Sequence, residues 1–219
     1  MSRPIIKAVV FDLDGILIDS EPAFVEAARR VLACRGQVLD EEFMRSVMGM
    51  PGRVVVPMFR ERFRLADHVE QLACDFREHF AAVIQTEPLR VMPGVWEIIA
   101  AVERREIPRA IATSSSRRYV EHVIAPSGFV ARFPLVLTCD DVTHAKPDPE
   151  IYVLAARQLS VRPGEMLVIE DSPAGVTAAK AAGAFCVAVP HSRTDRSAIA
   201  AADLVVESLT APALTALIS

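Results

Sequence analysis

Two carboxylates at the end of an apolar run are the first residues whose types and spacing could do chemistry. The segment VVFDLDGILIDSE, residues 9–21, places Asp12 and Asp14 on either side of Leu13. In an extended chain alternate side chains point the same way, so the two acids lie close together and repel. Buried ionised carboxylates are costly unless a charge or a metal ion compensates them. The pair indicates a site for Mg²⁺, a hard cation that takes oxygen ligands, with an ordinary strand-end turn as the structural alternative.

A hydroxyl cluster and a lysine occupy comparable places further along the chain. Thr113–Ser116 (TSSS) follows an apolar run and precedes a helix-like segment, where hydroxyls and free N–H groups suit a phosphate. Simple N-capping is the structural alternative. Lys146 precedes Pro147, which biases it towards an extended conformation that could direct the amine into a cleft. A lysine is a compact charge suited to a phosphate or a carboxylate nucleophile, and a solvated loop lysine is the alternative.

A second acid pair, Glu170 and Asp171, ends another apolar run in the segment VIEDSPAG. An Asp–Ser helix start is the structural alternative. Taken together, acids that suit a cation and hydroxyls with a lysine that suit an anion predict a metal-assisted phosphate site.

The elements that must position these residues are predicted from short apolar runs without alternation, which are typical of strands covered on both faces. The predicted strands are Ile5–Phe11, Arg109–Ala112, Pro134–Leu137, Met166–Ile169 and Ala184–Val189. The predicted helices between them are Gly94–Arg105, Arg117–Ala125, Glu150–Leu159 and Ala174–Ala182, with Asp148 and Ser172 as N-caps of the last two. Strands alternating with helices predict an α/β fold with a doubly wound parallel sheet. Ligands of such sheets bind at the carboxyl ends of the strands, where these polar groups fall.

The region between the first and second strands has a different pattern. Its helix-like segments with apolar faces are Ala23–Gly36, Glu41–Gly49, Arg53–Phe63 and Val69–Ile84. Val54–Val56 could form a strand by composition, but its context is helical. We therefore predict a catalytic α/β core domain of residues 1–17 and 92–219, interrupted by an all-helical cap domain of residues 18–91 that could act as a lid.

The composition disfavours several classes of function. The chain has 24 basic and 28 acidic residues and a formal net charge of −4, so no basic field favours nucleic acid. No apolar run approaches the roughly 18 residues that a membrane-spanning helix needs. Four scattered cysteines without CxxC spacing are typical of reduced thiols, so we expect a cytoplasmic protein. We expect a monomer or weak homo-oligomer that binds a small-molecule phosphate ester, no nucleic acid and no membrane.

The four chemical segments, in their order along the chain, resemble the motifs of the haloacid dehalogenase superfamily. DLDGILIDS is similar to its first motif, IATSS to its second, KPDPEIY to its third and VIEDSPAG to its fourth. The resemblance covers essentially the whole chain. It is strongest to the sugar-phosphate phosphatase and β-phosphoglucomutase-like subgroup, whose helical cap corresponds to the insert. It implies a Mg²⁺-dependent phosphatase that hydrolyses a small phosphate monoester, such as a sugar phosphate, through an aspartyl-phosphate intermediate.

The resemblance also implies a role for each matching residue. Asp12 is expected to be the nucleophile. Asp14 is expected to be the general acid and then the base, with its backbone carbonyl on Mg²⁺. Lys146 is expected to neutralise Asp12 and the phosphate. The phosphate-binding residues are expected to be Thr113, Ser114, Ser115 and Lys146, and the metal-binding residues Asp12, Asp14, Glu170 and Asp171.

Other members of the superfamily are distinguished by single residues. True 2-haloacid dehalogenases lack the second aspartate, whereas Asp14 is present here, so dehalogenation is disfavoured. Phosphonoacetaldehyde hydrolases use a lysine in the cap, but this chain has lysines only at positions 7, 146 and 180. β-Phosphoglucomutases have a cap lysine and a histidine where this chain has Phe24, so a phosphosugar mutase is the second choice.

Two kinds of binding module remain as alternatives of another class. Phospho-receiver signalling domains have similar strand-end acids, threonine and lysine, but they are shorter and have no helical insert. A catalytically silent relative would act as a phosphate- or metal-binding interaction module. Turnover of a phosphate ester would separate an enzyme from both.

The cap is expected to select the leaving group. The segment MGMPGR, Met48–Arg53, matches the position of the family's substrate-specificity loop, and Arg53 could bind a sugar hydroxyl, a carboxylate or a second phosphate. Glu21, just past the first motif, could face the same cleft. The structural alternatives are a solvated arginine at a helix start for Arg53 and a favourable acid at a helix start for Glu21.

Overall fold

The computed structural model describes residues 4–47, 50, 52–190, 194 and 196–218. The chain forms two compact units. The core unit comprises the chain up to Ile18 and from Val91 onward, and the helical unit comprises Asp19–Arg90. Met48, Gly49 and Pro51 of the predicted specificity loop lie outside the described residues. Within the described ranges, no helix has both the length and the apolar character needed to cross a membrane.

The core unit is organised around a parallel sheet. The strands of the chain are β1 (Ala8–Phe11), β2 (Ile18–Asp19), β3 (Arg90–Val91), β4 (Arg109–Ala112), β5 (Leu135–Leu137), β6 (Met166–Glu170), β7 (Phe185–Ala188) and β8 (Leu204–Val205). Six of them form one sheet in the order β5-β4-β1-β6-β7-β8, and β2 pairs with β3 in a separate two-stranded sheet. All pairings within the large sheet are parallel, so the predicted doubly wound α/β fold is confirmed.

The first strand of the chain is central in this sheet. Every residue of β1 and of β6 is buried, as expected for strands covered on both faces. Phe11, the last residue of β1, is in register with Ile111 of β4 and Ile169 of β6. The residues that follow these three strands are therefore neighbours in space.

Most helices begin and end close to the predicted positions, but the last helix of the chain was not predicted. They are α1 (Glu21–Ala33), α2 (Glu41–Val47), α3 (Gly52–Arg62), α4 (Val69–Thr86), α5 (Val95–Arg104), α6 (Arg117–Tyr119), α7 (Glu150–Gln158), α8 (Pro173–Ala181) and α9 (Pro212–Ile218). The predicted helix Arg117–Ala125 is wrong as a single α-helix, because α6 passes into a π-helical turn over Val120–Ile124. Val54–Val56 is helical, as its context indicated.

The N-caps of α7 and α8 differ. Ser172 caps α8 as predicted, since its hydroxyl accepts a hydrogen bond from the Gly175 N–H at 3.0 Å. The formal N-cap position of α7 is Pro149, one residue later than predicted. The Asp148 carboxylate still accepts a hydrogen bond from the Glu150 N–H at 3.0 Å, so it caps a free N–H group of the first turn as predicted.

The helical unit has a core of its own. Helices α1 and α4 pack together, and α3 packs on α4. The centre is Phe59, which is fully buried and lies with its ring centroid 4.8 Å from those of Phe63 and Phe76. Burial of such aromatic rings stabilises the unit.

Candidate active site

Asp12 is held at the end of the central strand. Its backbone N–H donates to the carbonyl oxygen of Ile169 in β6 at 2.9 Å, so the sheet continues one residue beyond β1. Gly15, three residues on, has a φ of 91°, a left-handed conformation that glycine adopts without steric cost. The chain can therefore leave the sheet sharply after Asp14, and the Asp12 carboxylate stays at the carboxyl edge of the sheet, with only 7% of the residue exposed.

Lys146 joins three elements at this edge. Its Nζ donates to Asp12 Oδ1 at 2.5 Å, to Glu170 Oε1 at 2.6 Å and to the carbonyl oxygen of Ala112 at 2.9 Å. The ring of Tyr152 lies 4.9 Å from the ammonium, within the range of a cation–π interaction. With 3% of its side chain exposed, this lysine is a buried charge whose donors have acceptors, and it is not the solvated loop lysine of the alternative reading.

The loop before α7 fixes the backbone on which Lys146 lies. The Glu150 carboxylate accepts hydrogen bonds from the N–H groups of Thr143 at 2.9 Å and His144 at 2.8 Å. The Lys146–Pro147 peptide bond is cis. The first turn of α7 thus anchors the chain on the amino side of the lysine.

Glu170 is the most completely bonded carboxylate of the site. Its Oε1 accepts from Lys146 Nζ and from the Tyr152 hydroxyl at 2.5 Å. Its Oε2 accepts from the N–H of Asp171 at 3.1 Å and from the N–H and hydroxyl of Ser172 at 3.3 and 3.1 Å. Five protein donors therefore occupy the lone pairs of one fully buried group. Glu170 is a fixed anion that orients Lys146.

Gly175 provides the space for this anion. A Cβ at Gly175 would lie 1.8 Å from Glu170 Oε1 and 2.1 Å from Oε2, far inside van der Waals contact. Only a residue without a side chain allows the first turn of α8 to pack against the carboxylate. Glycine in the segment VIEDSPAG is thus a steric requirement of the site.

The site contains more negative charge than its lysine can balance. Asp12, Glu170 and Asp171 have carboxylate oxygens that lie within 4.8 Å of one another. Burial raises the pKa of the Asp12 carboxyl to about 8, against the lowering effect of Lys146 and with Glu170 adding to the rise. Burial, together with Glu170 and Asp12, also raises the pKa of Asp171 well above its ordinary value. Burial lowers the pKa of Lys146, but Asp12 and Glu170 outweigh it and the net shift is upward.

A divalent cation would relieve this imbalance. Three ionised carboxylates and one ammonium leave two uncompensated negative charges, the charge of one Mg²⁺. The donors are carboxylate oxygens, which Mg²⁺ prefers over nitrogen and sulfur ligands. The residues present therefore fit a divalent metal, and the carboxylates of this cluster are its candidate ligands.

Asp14 faces a different set of partners. Its Oδ2 accepts a hydrogen bond from the Ser115 hydroxyl at 2.7 Å, and its Oδ1 accepts one from the Tyr119 hydroxyl at 2.9 Å. Among the described residues, the Asp14 carboxylate is not a member of the three-carboxylate cluster. The two aspartates predicted as a pair thus have separate environments, which suits two different chemical roles.

The hydroxyl cluster lies at the end of β4. Thr113 is buried, its N–H donates to the carbonyl oxygen of Leu137 at 3.0 Å, and its hydroxyl accepts from the Ser115 N–H at 3.0 Å. Ser114 follows half-buried. Ser116 caps α6 by accepting a hydrogen bond from the Tyr119 N–H at 3.3 Å. The cluster therefore combines the capping role of the structural alternative with hydroxyls at the strand edge.

The predicted specificity residues belong to the helical unit. Arg53 is an exposed residue in the first turn of α3, and Glu21 is the half-buried first residue of α1. Phe24, at the position of the mutase histidine, stacks on Phe80 of α4 with ring centroids 4.5 Å apart.

Three site residues were missed from the sequence. Tyr152 binds Glu170 and Lys146, Tyr119 binds Asp14, and Gly175 accommodates Glu170. The chain has only two tyrosines: Tyr119 lies shortly after the IATSS motif, and Tyr152 is the last residue of the KPDPEIY motif. The rarity of tyrosine and its placement at the motifs are the sequence features that could have identified these two residues.

Comparison with known proteins assigns the family. The profile of haloacid dehalogenase-like hydrolases matches residues 9–189, most of the chain. This chain belongs to the haloacid dehalogenase-like hydrolase family. Hydrolases of this family generally use a divalent metal ion, in agreement with the donor set at Asp12 and Asp171.

This chain is similar over most of its length to individual members of the haloacid dehalogenase-like family. A phosphorylated carbohydrates phosphatase from Thermotoga maritima is 36% identical over 91% of this chain and 92% of its own. The crystal structure of CbbY from Rhodobacter sphaeroides in complex with phosphate is 30% identical, with a TM-score of 0.80 over 93% of this chain and 95% of that one. A β-phosphoglucomutase structure from Clostridium difficile, 23% identical over 93% of this chain and 92% of that one with a TM-score of 0.78, shares the fold.

Proposed function

We propose that this protein is a Mg²⁺-dependent phosphatase that hydrolyses a small phosphate monoester, a phosphorylated carbohydrate, through an aspartyl-phosphate intermediate. The observation that carries the proposal is the contact of Lys146 Nζ with Asp12 Oδ1 at 2.5 Å in a carboxylate cluster at the ends of β1 and β6. The likeness to a phosphorylated carbohydrates phosphatase supports the substrate class.

In the first step Asp12 attacks the phosphorus atom. A bond forms between a carboxylate oxygen and phosphorus, the bond from phosphorus to the ester oxygen breaks, and the ester oxygen takes a proton from Asp14. The Lys146 ammonium offsets the repulsion between the carboxylate and the phosphate dianion. The hydroxyl of Thr113 and the N–H of Ser114 bind phosphoryl oxygens in this proposal.

In the second step water hydrolyses the aspartyl phosphate. Asp14, now ionised, takes a proton from the water as its oxygen bonds to phosphorus, and the bond to Asp12 breaks. Phosphate leaves, and both aspartates regain their starting states. Proton transfer by a positioned carboxylate contributes on the order of 10²–10⁴ in rate.

Magnesium, when bound, supplies positive charge that stabilises the phosphoryl group during transfer. Asp12 and Asp171 would hold it through carboxylate oxygens, and Asp14 through its backbone carbonyl. Glu170 was predicted as a further ligand, but its oxygens already accept five hydrogen bonds. We assign Glu170 to hold Lys146 and to add negative charge beside the metal.

The helical unit is proposed to be the cap, with domain limits at 1–17 and 92–219 for the core and 18–91 for the cap. Arg53 and Glu21 are proposed to bind the part of the substrate that leaves. A mutase is the weaker candidate, because Phe24 cannot transfer a proton and residues 18–91 contain no lysine.

Phosphate release from a panel of monoesters, with and without Mg²⁺, tests the proposal. The panel contains hexose, pentose and three-carbon phosphates, nucleotides and β-glucose 1-phosphate, with glucose 6-phosphate formation followed separately. We expect Mg²⁺-dependent release, preferentially from sugar phosphates. Isomerisation without release would establish a mutase, and no turnover of any ester by a folded protein would favour a binding module.

The matched variant for this assay is Asp12→Asn, which keeps the shape of the side chain and removes the nucleophile. We expect turnover to be abolished while the circular dichroism spectrum is unchanged. Full activity of this variant would contradict the assignment of Asp12.

A further inference from the structure

The Asp14 carboxylate is held by two hydroxyl groups, one on each oxygen. Ser115 Oγ lies 2.7 Å from Oδ2, and the Tyr119 hydroxyl lies 2.9 Å from Oδ1. Two donors at different oxygens restrict rotation about the last side-chain bond, which a single hydrogen bond does not. The plane of the carboxylate is therefore set by the segment that contains Ser115 and Tyr119.

That segment is itself anchored on one side to the turn after β5. The N–H of Cys139 donates to the carbonyl oxygen of Ser115 at 3.1 Å. The N–H of Arg117 donates to Asp140 Oδ2 at 2.8 Å. The Arg117 guanidinium donates to Asp141 Oδ2 at 2.5 Å. Residues 115–117 thus have backbone and side-chain contacts to one neighbouring turn.

The Tyr119 end is fixed by its own helix. The Tyr119 N–H donates to the Ser116 hydroxyl, the N-cap of α6, and the π-helical turn Val120–Ile124 follows directly. Val120 and Ile124 of this turn are buried. π-Helical turns inside helices occur frequently at functional sites. The backbone that directs the tyrosine hydroxyl is therefore determined on both sides.

We propose that Tyr119 and Ser115 are positioning residues that hold Asp14 in the orientation needed to protonate the leaving oxygen. This inference rests on the proposed function, in which Asp14 is the general acid. It moves Ser115 from phosphate binding to the support of Asp14. It also gives Tyr119, which no motif reading singled out, a specific part in the reaction.

The proposal predicts a loss that depends on the leaving group. A sugar alkoxide leaves with difficulty unless it receives a proton, so a misplaced Asp14 slows hydrolysis of a sugar phosphate. A p-nitrophenolate is stable without a proton, so hydrolysis of p-nitrophenyl phosphate needs Asp14 less in the first step. A merely structural role of Tyr119 would lower both rates together.

The test compares Tyr119→Phe with wild type on glucose 6-phosphate and p-nitrophenyl phosphate, using the full chain with Mg²⁺ under single-turnover conditions, so that the first step is measured. We expect the rate on glucose 6-phosphate to fall roughly 10-fold or more, with the rate on p-nitrophenyl phosphate within about 3-fold of wild type. We expect the maximal rate to fall, and we expect the substrate concentration that gives half of the maximal rate to stay unchanged.

Tyr152→Phe is the matched control. It also removes a tyrosine hydroxyl bonded to a carboxylate, but on the side of Glu170 and Lys146. We expect it to slow both esters by similar factors, since it acts on the attacking end of the reaction. If Tyr119→Phe instead slows both esters equally, or neither, the proposal is wrong.

Asp14→Asn separates failure of this inference from failure of the proposed function. If Asp14→Asn hydrolyses glucose 6-phosphate at the wild-type rate, Asp14 is not the general acid and the proposed function is wrong at that point. If Asp14→Asn loses that activity selectively while Tyr119→Phe keeps it, only the positioning role is overturned. Ser115→Ala is expected to show the same selective loss and decides the matter if Tyr119→Phe does not fold.

Discussion

At the scale of single residues, the position of Lys146 depends on a fully buried carboxylate. Glu170 orients Lys146, and it does so from a position that exists only because Gly175 has no side chain. Buried polar networks stabilise a structure when every member is bonded and destabilise it when one is displaced. The steric fit of α8 to Glu170 therefore determines both stability and the position of the lysine.

Gly175→Ala is expected to destabilise the core unit. The added methyl would overlap the Glu170 carboxylate at 1.8 Å, and overpacking of this kind costs about 1–3 kcal/mol or more. Urea unfolding followed by circular dichroism measures the change. Gly164→Ala is the control, since its Cβ would meet only the carbonyl oxygen of Gly183 at 3.7 Å, an ordinary contact. Equal stability of the two variants would contradict the steric argument.

The raised pKa of Asp12 predicts a pH-dependent response to Mg²⁺. The folded-state pKa, about 8 against an ordinary 3.8, means that the folded protein binds a proton more tightly than the unfolded chain. The stabilisation from this proton is present at low pH and is lost as the pH rises through about 8. Protons and Mg²⁺ compete for the same carboxylate. The rise in melting temperature at a fixed Mg²⁺ concentration should therefore grow between about pH 6 and about pH 8.5.

Differential scanning fluorimetry with and without Mg²⁺ checks this expectation. Asp12→Asn is the control variant and should show a smaller increment with a weaker dependence on pH. If the rise in melting temperature that Mg²⁺ causes in the wild type stays constant over this pH range, Asp12 does not lose a proton when the metal binds.

Whether the sequence predicts a site residue depends on how its side chain reaches the site. Asp12, Glu170 and Asp171 lie at strand ends, and Lys146 lies in the loop between β5 and α7. Because parallel strands bring their carboxyl ends to one edge, the proximity of these residues was predictable. Tyr119 and Tyr152 reach the site through helix geometry and long side chains, which a linear pattern does not encode. Glycine is needed at position 175 because its backbone packs against the Glu170 carboxylate, a contact that exists only in the folded protein.

At the scale of elements, α8 connects the sheet to the site. Ser172 both caps this helix, through the Gly175 N–H, and donates its hydroxyl to Glu170 Oε2. A helix start that satisfies its own free N–H groups and a buried anion at once is fixed more tightly than an ordinary cap.

Ser172→Ala is expected to destabilise the protein by about 1–2 kcal/mol, because it removes the cap and leaves an oxygen of Glu170 with one donor fewer. Urea denaturation measures the difference. Thr177→Ala in the same helix is the control, because the Thr177 hydroxyl is exposed and donates to the Pro173 carbonyl oxygen of its own helix. Its effect should stay within about 0.5 kcal/mol, and a comparable effect in both variants would refute the special role of Ser172.

Prediction of the strands succeeded where an apolar run had at least four residues and failed for strands of two residues. β4 has the predicted bounds, whereas β8 has two residues, Leu204 and Val205, and gives no periodic signal. Helix α9 was missed too, since its seven residues follow a segment without a clear boundary. The π-helical turn after α6 arises from a local change of hydrogen bonding that residue types do not specify.

At the scale of the whole molecule, each of the two units has its own hydrophobic core. The helical unit packs around Phe59, and the core unit packs around the central strands β1 and β6. Because each unit has its own core, one unit can unfold locally while the other stays folded. A single value of the global free energy of unfolding does not reveal such local unfolding.

Phe59→Ala is expected to destabilise the helical unit by about 3–5 kcal/mol and to leave the core unit protected. Hydrogen–deuterium exchange with mass spectrometry should show faster exchange in peptides from residues 19–90 and unchanged exchange in β1, β4 and β6. Phe129→Ala, at a buried ring of the core unit, should give the reverse pattern. Faster exchange throughout the chain in Phe59→Ala would show that the units unfold together.

The place of β1 in the sheet has a consequence for biosynthesis. The strand that leads into Asp12 leaves the ribosome long before its neighbours β4 and β6, and Lys146 follows Asp12 by 134 residues. The nascent chain therefore presents an apolar strand with two open edges, which folding intermediates tend to join to other chains. The helical unit is translated next and can fold around its own core while β1 is still unpaired. The carboxylate cluster is complete only after Asp171 has emerged, so a chain cut before Lys146 lacks both the lysine and the second acid pair of the site.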